Sequence, residues 1–166
     1  MSIARHLVEL HGGSIHAESP GVGHGSTFTA RFPRSPVAAT PGIRVLVVED
    51  DDAARGLVEK ALETRGAIVK AVSSAPEALD ILGRERVDML LSDIEMPGTD
   101  GYQLIEELRQ RSPQEGGSVP AAALTAYART EDRLRALRAG LQLHLAKPVQ
   151  PSELVAVVAS LAARRR

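Results

Sequence analysis

Four short polar stretches carry the residue types from which a reactive centre could be built: Glu49-Asp50, Asp93, Thr125 and Lys147-Pro148, each at the end of an apolar run. Carboxylates brought to one rim raise one another's pKa, so Glu49, Asp50 and Asp93 together call for a cation among them. A hard, oxygen-seeking divalent ion such as Mg²⁺ suits an all-oxygen donor set. Lys147 adds a positive charge and Thr125 a hydroxyl, the groups needed to hold the equatorial oxygens of a phosphoryl group in transfer. Asp93 is then the natural nucleophile.

These residues can meet only if the elements that precede them lie side by side. From residue 43 the pattern alternates strand and helix five times. Residues 43–48 form an apolar run broken only by Arg44, as suits a strand buried on both faces. Ala54, Leu57, Val58, Ala61 and Leu62 follow at helical spacing and stop at Gly66. Residues 67–72 read as a second strand, and Ser74-Ala75-Pro76-Glu77 opens a second helix with a cap residue and an early proline. Residues 87–91 are a third strand, followed by a helix over 102–110. Strands at 119–124 and 141–145 enclose a helix that ends before Gly140, and Ser152-Glu153 caps a last helix over 154–163. Parallel neighbours need long crossovers, so five such units imply an α/β fold: a doubly wound parallel sheet with helices on both faces. Active groups of such sheets gather at the strand C-terminal ends, where the polar residues stand.

The 166 residues fit one ordinary domain plus an appendage, and 43% hydrophobic with 25% charged residues is a globular composition. Aromatics are only 2%, so the core is mostly aliphatic. The absence of cysteine excludes disulfides and thiolate metal sites. A net charge of -1 argues against nucleic acid, which needs clustered basic residues. No apolar run approaches a membrane span, and Met1 to His6 lack the order of a signal peptide, so a cytoplasmic protein is expected. Three prolines between residues 33 and 42 read as a linker. The expected organisation is therefore a first unit over 1–33, a linker over 34–42 and the α/β domain over 43–166.

Taken together, Val45-Leu46-Val47-Val48-Glu49-Asp50, Ser92-Asp93-Ile94-Glu95-Met96-Pro97-Gly98-Thr99-Asp100-Gly101, Leu124-Thr125-Ala126 and Lys147-Pro148 resemble the receiver domains of two-component response regulators, over about residues 43–163. The resemblance implies a flavodoxin-like (βα)5 sheet of order 2-1-3-4-5, counted from the strand at residue 43. It implies that Asp93 takes a phosphoryl group from phosphohistidine or from a small donor such as acetyl phosphate. Asp50, Asp93 and the backbone carbonyl of Glu95 would bind Mg²⁺, with Glu49 acting through water. Lys147 would pair with the carboxylate and then with the phosphate, and Thr125 would follow the phosphate. The Lys147-Pro148 bond would be cis. The implied partners are a histidine kinase or a histidine phosphotransfer protein, with a possible dimer through the strand-four to strand-five face. The departures are His144, where the family has a switch aromatic, Thr99, where a hydrophobic residue is common, and Glu95 and Tyr127, at loop positions that influence dephosphorylation.

Residues 2–11 read as a helix before Gly12-Gly13, and 14–18 and 27–32 as two strands around a glycine-rich connection, with Phe28, Ala30 and Phe32 on one buried face. Ser2 to Gly13 and Gly21 to Phe28 are similar to the tail of a histidine-kinase ATP-binding domain without its metal-binding asparagine and first glycine box. The resemblance thus implies the end of a hybrid histidine kinase, with no autokinase activity expected.

Plainer readings apply to several of these residues. Asp51 and Asp52 suit a helix N-terminus, Asp100-Gly101 is turn and cap chemistry, and Arg164-Arg165-Arg166 complements a helix C-terminus. His6, His11, His16 and His24 lack i,i+4 ligand spacing. Two other functions compete with the phosphoacceptor: a phosphatase of the haloacid-dehalogenase type, in which Glu49-Asp50 would be idle, and an interaction module that never becomes phosphorylated. Arg55 and Glu59 fall where such domains choose their signalling partners.

Overall fold

Two five-residue runs, Ser14-Ile15-His16-Ala17-Glu18 and Thr27-Phe28-Thr29-Ala30-Arg31, on either side of three glycines fold back as a ribbon near the start of the chain. The computed structural model describes residues 14–21, 23, 25–31, 39–126 and 130–163, with backbone alone over 130–133. The readings that fall on residues 2–13, His24, Phe32, Tyr127 and Arg164 to Arg166 lie outside the described residues. The chain divides into two units, Met1–Val37 and Ala38–Arg166.

In the first unit β1 (Ser14–Glu18) pairs antiparallel with β2 (Thr27–Arg31), from Ser14 opposite Arg31 to Glu18 opposite Thr27. Gly21, Gly23 and Gly25 in the connection all adopt positive φ, which residues with a Cβ rarely do. The expectation of a buried face on the second strand is corrected: Phe28 is 72% exposed and Ala30 is exposed. Among the described residues of this unit no second layer covers the apolar side of the ribbon.

The second unit runs β3 (Arg44–Val48), α1 (Asp52–Glu63), β4 (Ile68–Val72), α2 (Ala75–Arg84), β5 (Met89–Asp93), α3 (Gly101–Gln110), a 3-10 turn (Pro113–Glu115), β6 (Ala121–Thr125), α4 (Thr130–Ala139), β7 (Leu143–Ala146) and α5 (Pro151–Ala163). The five strands β3 to β7 form one parallel sheet in the order β4-β3-β5-β6-β7, which is the expected 2-1-3-4-5. Strand alternation divides the core in two. Leu46, Val48, Leu90 and Ala123 pack with residues of α2, α3 and α4, whereas Val45, Val47, Leu91 and Leu124 pack with residues of α1 and α5.

Several boundaries differ from the sequence expectation. Pairing begins two residues late in β5, β6 and β7, because Val87, Val119 and Leu141 are buried lead-ins that precede the ladder. The last helix starts at Pro151, so Ser152 lies inside its first turn rather than capping it; proline without an N–H is well tolerated there. Ser74 stands at the N-cap of α2, but its hydroxyl bonds the Glu77 carboxylate instead of the helix backbone. Leu57, counted in the apolar stripe of α1, is 73% exposed. The end of the proline-containing segment belongs to the second unit: Thr40 is buried and its N–H donates to the Arg65 carbonyl at 2.9 Å, while the Gly42 N–H donates to that of Gly66 at 2.9 Å.

Arg109 ties together the end of the sheet opposite the polar residues. Its guanidinium donates to the carbonyls of Gly117 (2.8 Å), Val119 (2.9 Å) and Gly140 (3.0 Å), and burial pulls its pKa down. Three carbonyls share one side chain, so Arg109→Ala is expected to lower stability by about 2–3 kcal/mol in thermal unfolding, with Arg109→Lys recovering only part, since an ammonium cannot span the fork.

Candidate functional site

The register of the parallel sheet assembles the site. Val48 pairs with Ser92, so Glu49 and Asp93 leave adjacent strands side by side, and Thr125 and Lys147 follow on the next two. The inner strands β3, β5 and β6 are buried on both faces, which explains their apolar composition, whereas the edge strands β4 and β7 are partly exposed. Glu49, Asp93 and Thr125 stand where these inner strands end and the loops open. One carboxylate oxygen from each of Glu49, Asp50 and Asp93 lies within 4.8 Å of the others. This is the one such group of potential ligands among the described residues.

Lys147 Nζ stands between two of these acids, 2.8 Å from Asp93 Oδ2 and 2.7 Å from Glu49 Oε2. Asp93 Oδ1 accepts the N–H of Glu95 at 3.2 Å. Glu49, Asp93 and Thr125 are buried, while Asp50 and Glu95 are exposed. The Lys147 N–H donates to the Thr125 carbonyl at 2.7 Å, and the Lys147-Pro148 bond is cis. Burial pushes the Glu49 carboxyl above its ordinary pKa and Asp93 adds to the shift, against the opposing pull of Lys147. Burial pulls the Lys147 ammonium down, but Asp93 and Glu49 together hold it above its usual value. Three acids against one lysine leave the rim short of positive charge. The all-oxygen donor set suits a hard divalent cation.

Glu49, Asp50, Asp93 and Lys147, singled out in the sequence, are therefore brought together, and Thr125 stands at the end of β6, the strand beside β5. His144 on β7 pairs with Ala123 of β6 and is half-buried. Asp51 does cap α1, accepting the Ala54 N–H at 2.7 Å, and Asp100 forms a reciprocal capping box with Gln103. Three residues have contacts that sequence reasoning did not assign to them. Gly101 packs against the phosphoryl-bearing candidate itself: a Cβ there would lie 2.2 Å from the Asp93 carbonyl oxygen. The only sequence signal was the Asp-Gly pair, read as a turn. Arg135 of α4 sits 4.1 Å from the Tyr102 ring centroid and 3.5 Å from Asp100 Oδ2, clamping α4 to the start of α3. Arg55, assigned to partner choice, turns its guanidinium inward to the β3–α1 loop.

A doubly wound parallel sheet whose strand ends gather two acids, a third acid, a threonine and a lysine defines the class. Residues 45–159 match the response regulator receiver domain, and the chain belongs to that family, whose members are the phosphoacceptor modules of two-component signalling. An uncharacterized protein of Leptolyngbya boryana is 48% identical over 114 residues, covering 69% of this chain and 86% of that one. The sensor histidine kinase GacS of Pseudomonas protegens is 38% identical over 116 residues, covering 69% of this chain but 13% of the kinase. Among solved structures, the receiver domain of a sensor histidine kinase from Pseudomonas aeruginosa, described with a magnesium ion coordinated in its active-site cleft, aligns with a TM-score of 0.67 at 34% identity, over 74% of this chain and 98% of that one.

Proposed function

We propose that this chain accepts a phosphoryl group on Asp93, with Mg²⁺ bound by Asp93, Asp50 and the backbone carbonyl of Glu95 and with Glu49 acting through water. The observation that carries the reading is Lys147 Nζ, held at 2.8 Å from Asp93 Oδ2 beside a three-carboxylate cluster. A bound Mg²⁺ would supply positive charge to the oxygens of the incoming phosphoryl group. A carboxylate oxygen of Asp93 forms the new O–P bond while the P–N bond of a phosphohistidine breaks and the imidazole departs; with acetyl phosphate the leaving group is acetate. Lys147 then transfers its contact from the carboxylate to a phosphoryl oxygen, and the Thr125 hydroxyl donates to another.

The donor on this reading is a histidine kinase or histidine phosphotransfer protein, and the compartment is the cytoplasm. No helix among the described residues is long and apolar enough to cross a membrane. Residues 1–33 are read as a remnant of a histidine-kinase ATP-binding domain, 34–42 as a linker and 43–166 as the receiver. Exposed Leu134 (52%) and Leu137 (61%) on α4, with Leu143 at the edge strand β7, support a partner or dimer contact on the strand-four to strand-five face. Incubation with Mg²⁺ and acetyl phosphate, read by intact mass, tests the acceptor.

The crowded acids give a second expectation. Without metal, Asp50→Asn removes one of three mutually repelling carboxylates and is expected to stabilise the protein by about 1 kcal/mol, or roughly 3 °C in thermal unfolding. The same variant is expected to lose the additional stabilisation that Mg²⁺ confers on the parent. A drop in midpoint without metal would contradict this account of the cluster.

A further inference from the structure

Arg55 stands one turn into α1, its N–H donating to the Asp51 carbonyl at 2.9 Å. Helical side chains lean toward the N-terminus, so the guanidinium reaches back over the loop that joins β3 to α1. Nη1 donates to the Glu49 carbonyl at 2.8 Å and lies 3.4 Å from that of Asp50, while Nη2 pairs with the Asp52 carboxylate. The side chain is only 20% exposed. These contacts fall on the backbone of the two residues that contribute Glu49 and Asp50 to the acidic cluster.

The Glu49 carbonyl and the Asp50 N–H belong to one planar peptide unit. A donor that fixes the carbonyl therefore fixes the plane from which Asp50 departs. On the other side the Glu49 N–H donates to the Val72 carbonyl of β4 at 3.1 Å. Glu49 is thus held at both backbone groups, and the rotation that would swing Asp50 away is blocked from the helix side by Arg55 alone among the contacts described. A guanidinium suits this task because its planar fork spans two acceptors and an acid at once.

We infer that Arg55 is a positioning residue for the metal-binding pair, holding the peptide between Glu49 and Asp50 so that their carboxylates stay beside that of Asp93. The inference rests on the Mg²⁺ reading of the cluster and adds a second layer to it. Groups that orient metal ligands from behind typically change metal affinity by about 10–100-fold. The assignment differs from a partner-selecting role in where its effect is read: in Mg²⁺ affinity of the isolated protein, with no kinase present.

The experiment titrates Mg²⁺ into the full chain, followed by NMR, for the parent, Arg55→Ala and Arg55→Lys, and measures phosphorylation by acetyl phosphate over the same Mg²⁺ range. Arg55→Ala is expected to weaken Mg²⁺ binding about 10-fold or more, with Arg55→Lys between it and the parent because one ammonium reaches one carbonyl. Saturating Mg²⁺ is expected to restore the parental phosphorylation rate, a shift in apparent Mg²⁺ affinity and not in the maximal rate. Parental affinity in both variants overturns the inference, as does a rate that stays low at saturating Mg²⁺. A parent that binds no Mg²⁺ at all overturns the metal reading itself, which separates the two failures. Arg55→Lys keeps the test decisive if the alanine variant folds poorly.

Discussion

Asp93→Asn is expected to abolish phosphoryl uptake: after incubation with Mg²⁺ and acetyl phosphate, the parent gains the mass of one phosphoryl group and the variant gains none. The substitution preserves shape and replaces a buried, anionic nucleophile with a neutral amide, so the rate is expected to fall by about a thousandfold or more. The fold is expected to survive. Lys147 keeps its contact with Glu49 at 2.7 Å, and the amide carbonyl can still accept the Glu95 N–H that Asp93 Oδ1 accepts at 3.2 Å. Removing one carboxylate also relieves repulsion within the cluster, so a thermal midpoint at or above that of the parent is expected without metal. Full-level phosphorylation of the variant would place the acceptor elsewhere and undo the site assignment.

Gly101→Ala is expected to cost at least about 3 kcal/mol, lowering the midpoint by roughly 10 °C, because the clash it creates is with backbone. Its Cβ would lie 2.2 Å from the Asp93 carbonyl oxygen and 2.9 Å from Ile94 Cα, so no side-chain rotation relieves it. The Gly101 N–H also donates to the Ile94 carbonyl at 3.1 Å, which keeps the start of α3 on top of the β5 end. Any relief must push α3 away or move Asp93, and slower phosphorylation is expected even at temperatures where the variant is folded. Gly117→Ala is the comparison. Its Cβ would come within 2.1 Å of the Arg111 carbonyl oxygen, but at the opposite end of α3. A similar stability loss with an unchanged phosphorylation rate is expected there. Equal slowing in both variants would mean that general destabilisation, and not the position of Asp93, is responsible.

Much of the site was legible in the sequence because the inner strands are buried on both faces. A run such as Val45 to Val48 gives way to polar residues where the sheet ends and the loops begin, so Glu49 and Asp50 mark the rim by their polarity, and Asp93 and Thr125 do the same on the other inner strands. Two helix N-termini were legible for a similar local reason, since Asp51 and Asp100 bond to N–H groups three residues on, whereas Ser74 bonds Glu77 instead and Ser152 falls inside the first turn. Boundaries were less so. Val87, Val119 and Leu141 are apolar and buried yet lie ahead of β5, β6 and β7, and burial alone does not say where a strand starts. Phe28 and Leu57 misled for the converse reason, since an apolar spacing states which residues could share a covered face but not whether another element arrives to cover it.

The amino-acid sequence by itself determined the alternation of strands and crossover helices and the polar residues at the strand ends, because both follow from local patterning against water. Tertiary structure alone decided which groups meet around them: Glu49 against Asp93 across neighbouring strands, Gly101 against the Asp93 carbonyl, and the Arg55 guanidinium turned onto the Glu49 carbonyl. Those contacts depend on strand order, on register and on the direction in which each helix returns to the sheet. These are properties of packed elements, which no single stretch of chain encodes.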